Sequence, residues 1–362
     1  GAGTSTNMNV NEVLANLAIV KLGGVLGDYS KVHPLDHVNR GQSTNDVVPS
    51  ALRIAAIYLV RELAKALSQL QDSLQKKEKE FASIPKLGRT QLMDAAPIML
   101  GQEFGAWAQA IARDRWRIYK VEERLRQINL GGTAVGTGAA ADKRYAFRVI
   151  EILRELTGLG LAHAEDPMDL TQNNDVVVEV SGLLKACAVN LIKISGDLRL
   201  LNSGPRGGLG EIHLEARQVG SSLMPGKVNP VIPEHVAQLA MKVVADDTAI
   251  TLAAASGQLE LNAFMPLMAD SLIDALVLLR EAVTRLRESC IDTLEADAGA
   301  CARHLHASTA PALLLVPLLG YDAAAELAKE CLLTGKGIRQ LVVEKQLLPS
   351  EQVDRLFSGV RS

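Results

Sequence analysis

Four short polar segments hold most of the groups in this 362-residue chain that have chemistry to offer. They are Gly1-Ala2-Gly3-Thr4-Ser5-Thr6-Asn7-Met8-Asn9, Gln42-Ser43-Thr44-Asn45-Asp46, Gly88-Arg89-Thr90-Gln91-Leu92 and the stretch from Gly220 to Pro230. Each reads as lying next to a helix start, where Ser, Thr and Asn side chains satisfy free N–H groups. Capping explains one such residue per helix. It does not explain clusters of hydroxyls and amides, nor an unpaired Lys227 among them. Helix N-termini, hydroxyls and a lysine together make a site for small anions, carboxylates included. The last segment fails as a phosphate-binding loop, because Val228 stands where Ser or Thr is required after the lysine.

Two further patterns are weaker. Gly131-Gly132-Thr133-Ala134-Val135-Gly136-Thr137-Gly138 has no strand before it and no βαβ unit around it, so a tight turn between helices is expected rather than a dinucleotide loop. His304 and His306 lack further ligands at metal-binding spacing, and no metal site is expected.

The polar segments interrupt a chain that otherwise reads as helix. Aromatic residues make up only 3% while Ala and Leu abound. Long stretches lack proline, which is excluded from helix interiors. Between Pro49 and Pro85, residues Leu52, Leu59, Leu63, Leu67, Leu70 and Leu74 follow three- and four-residue steps along one helical face. The charge run from Lys76 to Glu80 near its end reads as a solvated face. Similar reasoning predicts long helices over roughly 98–128, 174–201, 231–255 and 264–290. Several have apolar or small residues on more than one side, so they are buried on several faces. The expected fold is all-α: a long-helix bundle completed by tetramerisation, with a small helical C-terminal domain. The expected boundaries are 1–43 for the remainder of a truncated N-terminal domain, 44–299 for the central bundle and 300–362 for the C-terminal domain. The chain opens without Met and inside a motif, which reads as a truncated start.

Composition also narrows the function classes. A net charge of −3 without a basic, aromatic-interleaved run argues against nucleic acid. The longest apolar stretches are too short for a bilayer, so no membrane partner is expected. The four cysteines, Cys187, Cys290, Cys301 and Cys331, are far apart, which fits free thiols in a reduced, cytoplasmic compartment.

Taken together, the four polar segments resemble the aspartase/fumarase superfamily, and most closely its ammonia-lyases. Gly220 to Asn229 is similar to the superfamily's loop pattern Gly-Ser-x-x-Met-x-x-Lys-x-Asn, and the similarity runs over nearly the whole chain in matching order. The resemblance implies a homotetramer whose active sites each draw on three subunits, a small dicarboxylate or amino-acid substrate, and no required cofactor. Activation by divalent cations, known among some relatives, is not legible here. The implied reaction removes ammonia from L-aspartate to give fumarate. A weakly acidic proton leaves the carbon beside the β-carboxylate, which becomes a doubly charged aci-carboxylate. Preorganised donors aimed at such developing charge contribute about 3–4 kcal/mol each when well placed.

By the same resemblance, Thr4, Ser43, Thr44 and Ser222 supply those donors, and Ser221 is the base. A serine is a poor base unless its oxyanion is stabilised. Lys227 and loop N–H groups are the candidates for that help, with Gly220 and Gly226 as hinges of a closing loop. Lys227, Asn229 and Thr90 would hold the α-carboxylate, while Asn45, with Thr4 and Gln91, would contact the leaving amine. Fumarases carry His where this chain has Gln91, paired with a carboxylate that matches Glu234. Gln91 is neutral and cannot relay a proton that way. Gln91 and Ser43-Thr44 therefore favour an ammonia-lyase. The alternatives are a fumarate hydratase, a lyase for a different amino acid or substituted aspartate, and a non-catalytic structural relative. Two positions depart from the family's pattern: Ala139-Ala140-Ala141 stands where Leu-Asn is usual, and Gly41 where a larger residue is common.

Overall fold

The computed structural model describes residues 1–357. In chain order its helices are α1 (Thr4–Lys21), α2 (Thr44–Glu80), α3 (Leu100–Leu125), α4 (Lys143–Thr157), α5 (Pro167–Gln172), α6 (Asp175–Leu201), α7 (Val231–Ala255), α8 (Met265–Leu286) and α9 (Ala298–Ala307). The shorter α10 (Val316–Leu319), α11 (Tyr321–Thr334), α12 (Ile338–Glu344) and α13 (Ser350–Phe357) follow. The chain is predominantly helical, as its composition predicts. Its strands are short: an antiparallel hairpin of β1 (Pro85–Thr90) and β2 (Met93–Met99), a parallel pair β3 (Gln127–Ile128) with β4 (Ala162–His163), and an antiparallel pair β5 (Ile212–His213) with β6 (Glu295–Ala296).

Two compact units are present. The first comprises residues 1–68, 113–192 and 238–283, the second residues 69–112, 193–237 and 284 onward. These limits differ from boundaries drawn at 43/44 and 299/300, because α2, α3, α6, α7 and α8 each give residues to both units. In the first unit Leu52, Leu63 and Leu67 of α2 are buried with Ile118, Val180, Leu184, Val243 and Leu272, while Leu59 is half-buried. Each fully buried Leu stabilises by about 1.5–3 kcal/mol. In the second unit Leu70 and Leu74 are buried, and Phe81, Phe104 and Trp107 stack edge to face at 5.2 and 4.8 Å between ring centres. The C-terminal elements hold a cluster of their own around Leu315, Leu327, Leu341, Val342 and Val353.

Three local readings need correction. Helix α2 starts at Thr44, so Pro49 lies inside it. Proline has no N–H to give the carbonyl four residues back, and the Asn129 side-chain amide takes that carbonyl of Asn45 instead, at 3.1 Å. Lys77, read as part of a solvated face, is buried; its Nζ donates to the Leu294 carbonyl at 2.9 Å and lies 5.3 Å from the centre of the Phe81 ring. The Gly88–Leu92 segment is the tip of the β1–β2 hairpin rather than a helix start. All four cysteines are buried free thiols. No helix among the described residues is long and apolar enough to cross a membrane.

Candidate active site

The residues singled out from the sequence fall into two groups, one in each unit. In the first unit the start of α2 is built as a capping box. The Ser43 hydroxyl accepts from the Asn45 N–H at 3.2 Å, and Asp46 Oδ1 accepts from the Ser43 N–H at 2.9 Å. Asp46 is fully buried, and its Oδ2 accepts from the N–H groups of Gly131 at 3.0 Å and Thr133 at 2.9 Å. One carboxylate therefore fastens the Ser43-Thr44-Asn45 turn to the glycine-rich turn that precedes α4. Burial pushes the Asp46 carboxyl above its ordinary value, while the N–H groups of Ser43, Thr133 and Gly131 pull it down. Gly131 sits at φ 94° with its absent Cβ 2.6 Å from Ala146, so no other residue offers its N–H there.

Thr44 Oγ1 accepts from Asn7 Nδ2 at 3.2 Å, tying α1 to α2, and Asn7 and Asn11 both reach Asn39 Oδ1. Asn45 Nδ2 donates to the Ala134 carbonyl at 2.7 Å. Thr4 opens α1 with its side chain exposed. Gly41, a departure from the family's pattern, has φ 71°, a conformation in which a larger residue is strained.

In the second unit the hairpin turns through Gln91 at φ 55° and Leu92 at φ 64°, with Thr90 opposite Met93. Positive φ at both central residues makes this a type I′ turn, normally the place of Asn and Gly. Non-glycine residues there carry strain, which surrounding structure must hold. Thr90 and Gln91 are exposed at this tip.

The loop from Gly220 to Pro230 folds back on itself, with the Ser221 N–H donating to the Lys227 carbonyl at 2.9 Å. The Ser221 hydroxyl oxygen accepts from the N–H groups of Leu223 at 3.3 Å and Met224 at 3.1 Å. Two donors on one serine oxygen favour its ionised form. Ser222 and Lys227 are exposed, and Lys227 forms no ion pair among the described residues. Lys227, Asn229 and Glu234 line a cleft of about 370 Å³, with Arg199 Nη2 3.6 Å from Glu234 Oε1.

Comparison with known proteins accounts for these motifs. Residues 1–245 match the family described as Lyase, and residues 314–359 match Fumarase C C-terminus. The chain belongs to the lyase family. An aspartate ammonia-lyase of Helicobacter pylori is 44% identical over 99% of this chain and 76% of its own length. A crystal structure of fumarate lyase:delta crystallin from Brucella melitensis bound to cobalt superposes with a TM-score of 0.94 at 45% identity, covering 98% of this chain and 77% of that one. A recombinant class II fumarase from Schistosoma mansoni gives a TM-score of 0.90 at 32% identity, covering 98% and 78%. These likenesses make this lyase an enzyme of the carbon–nitrogen class in the aspartase/fumarase superfamily.

Some groups of this lyase escaped the sequence reading. Asp46 had a visible signal, the Ser-x-x-Asp spacing of a capping box. Asn129, which spans the Asn45 carbonyl and the Thr171 hydroxyl, had none. Glu211, wholly buried among Lys86, Arg89 and His304, had none either. His304 is a partner of that carboxylate, and no cluster of three or more metal-ligating side chains occurs among the described residues.

Proposed function

We propose that this lyase catalyses the reversible elimination of ammonia from L-aspartate to give fumarate. The observation that carries the mechanism is the Ser221 oxygen held by two loop N–H groups. As base, Ser221 takes the proton from the carbon beside the β-carboxylate. The electron pair left behind moves into that carboxylate, giving the aci-carboxylate dianion. Thr4, Ser43, Thr44 and Ser222 donate to it; neutral hydroxyls strengthen their bonds as charge grows without locking the ground state in an ion pair. The dianion then collapses, forming the C=C bond and expelling the α-amine, which leaves as ammonia or ammonium. Lys227, Asn229 and Thr90 hold the α-carboxylate, and Asn45, Thr4 and Gln91 face the amine. No step needs a cofactor.

Two further parts of the reading concern Glu234 and assembly. Glu234 lines the cleft beside Lys227 and Asn229, where it bounds the substrate's amine side. The enzyme works as a homotetramer in which sites combine segments from different subunits. Support comes from the identity to aspartate ammonia-lyases, which exceeds that to the fumarase, and from Gln91 at the hairpin tip. The test supplies fumarate with and without ammonium salt and reads products by proton NMR. Aspartate formed only with ammonium is the expected result. Malate formed without ammonium, or fumarate untouched in both, overturns the substrate assignment.

A further inference from the structure

Glu211 lies between the end of α6 and β5, and none of the steps above uses it. Its side chain is 0% exposed. Oε2 stands 2.8 Å from Lys86 Nζ; Oε1 accepts from Arg89 Nη1 at 2.9 Å and from His304 Nδ1 at 2.9 Å. Lys86, itself 1% exposed, also binds both oxygens of Glu103, at 2.8 and 2.9 Å. The bland reading is a stabilising ion cluster. Buried ion pairs are poor stabilisers, since desolvation offsets their attraction, and apolar side chains often serve as well. What such a cluster supplies is fixed geometry.

The geometry fixed here belongs to the hairpin tip. Arg89 directly precedes Thr90 and Gln91. The ladder shifts register beside it, Gly88 facing Ala96 but Arg89 facing Asp94, so strand pairing alone leaves the tip's rotation loosely defined. Beyond the shift, Gln91 and Leu92 hold positive φ angles that need outside support. The Arg89 guanidinium gives that support by bridging Glu211 Oε1 and, at 3.4 Å, the Leu87 carbonyl. Glu211 is itself pinned at its backbone. Its N–H donates to the Leu201 carbonyl and its carbonyl accepts from the Asp297 N–H, both at 2.9 Å. From this fixed point the chain runs through β5 toward the Ser221 loop.

We propose that Glu211, acting through Arg89, is a positioning residue that sets where Thr90 and Gln91 stand and so aligns the α-carboxylate and amine of the substrate. The assignment rests on the roles given above to Thr90 and Gln91. Misplacement by about 1 Å from a remote substitution can cost on the order of 10²-fold in rate.

The decisive variants are Arg89→Lys, which keeps the charge and loses the planar fork, and Glu211→Gln, both in the full chain. Two readouts are taken: amide hydrogen exchange over 89–94, and steady-state kinetics with L-aspartate. Arg89→Lys is expected to exchange about tenfold faster in the hairpin tip with its long helices unchanged, to raise KM about tenfold, and to lower kcat/KM by about 10²-fold. Unchanged tip exchange overturns the proposal. So does an unchanged KM with kcat falling only in step with the folded fraction, which is the mark of a purely structural role. If Glu211→Gln folds, the double variant should be no worse than the poorer single one, because both act through one contact; additive losses overturn the proposal. If Glu211→Gln does not fold, Arg89→Lys decides alone. A wild-type protein inert toward L-aspartate would refute the substrate assignment, and tip exchange would still judge the positioning role.

Discussion

At the scale of single residues, the Ser221 oxygen and the Asp46 carboxylate both accept from backbone N–H groups but differ in exposure. Ser221 is partly open, and the two N–H groups on its oxygen would stabilise the charge that the proposed base role requires. Replacing it with Ala is expected to lower kcat by about 10³-fold or more, as loss of a general base does, while thermal denaturation stays within a degree or two of wild type. Activity close to wild type would remove Ser221 from the mechanism. Asp46 is sealed, and its three N–H bonds hold two turns together. Asp46→Asn places an amide NH₂ against donors and leaves buried N–H groups without acceptors, at about 1–3 kcal/mol each. Urea denaturation should therefore show a loss of about 2 kcal/mol, with KM raised because Ser43, Thr44 and Asn45 lose their anchor.

At the scale of elements, the β1–β2 hairpin combines a strained turn with a buried ionic foot. Leu92 is 72% exposed and held at φ 64°, so its apolar side chain gains little from the fold. Asn tolerates that conformation and suits a type I′ turn. Leu92→Asn is expected to stabilise the protein by about 0.5–1 kcal/mol, read as a raised midpoint in urea. The foot is pH-dependent. Burial alone pushes the Glu211 carboxyl up, but Lys86, His304 and Arg89 outweigh it and hold the group below its ordinary value of 4.5. A carboxylate with a depressed folded pKa stabilises above its unfolded pKa and loses that contribution as pH falls through the folded one. Wild type should thus lose stability more steeply than Glu211→Gln as the pH falls below the ordinary carboxylate range, followed by denaturant melts at successively lower pH.

At the scale of the whole molecule, the candidate residues belong to two compact units, with Thr4, Ser43, Thr44 and Asn45 in one and Thr90, Gln91, Ser221 and Lys227 in the other. Large apolar side chains stand exposed along several helices, among them Val13, Leu14 and Leu17 of α1 and Met241 and Leu252 of α7. Such exposed apolar faces suit burial against further copies of the chain, as the proposed homotetramer requires. If sites are shared, two inactive variants can rescue each other. Ser221→Ala and Thr44→Val, mixed, denatured and refolded together, should regain about a quarter of wild-type activity, because that share of sites in a symmetric oligomer escapes both lesions. Mixtures that stay inactive would argue for sites formed within one chain.

The helices were legible because their signal is local. Apolar and small residues at helical spacing, in stretches nearly free of proline, predict helices over roughly 231–255 and 174–201, and the structure has Val231–Ala255 and Asp175–Leu201. The loop carrying Ser221 and Lys227 stood out for a different reason, its resemblance to a pattern of the superfamily, and the family match over residues 1–245 spans it. The hairpin was not legible, because Gly88 to Leu92 offers no alternating pattern and its strand pairing depends on Met93–Met99 returning alongside. Nor was the cluster at Glu211, whose partners Lys86, Arg89 and His304 lie up to 125 residues away in the chain; only the fold brings charges so far apart in sequence together, and burial then leaves them one another as partners. Pro49 shows the same limit: the sequence alone predicts a break, and tertiary contact with Asn129 supplies the bond that lets α2 run through it.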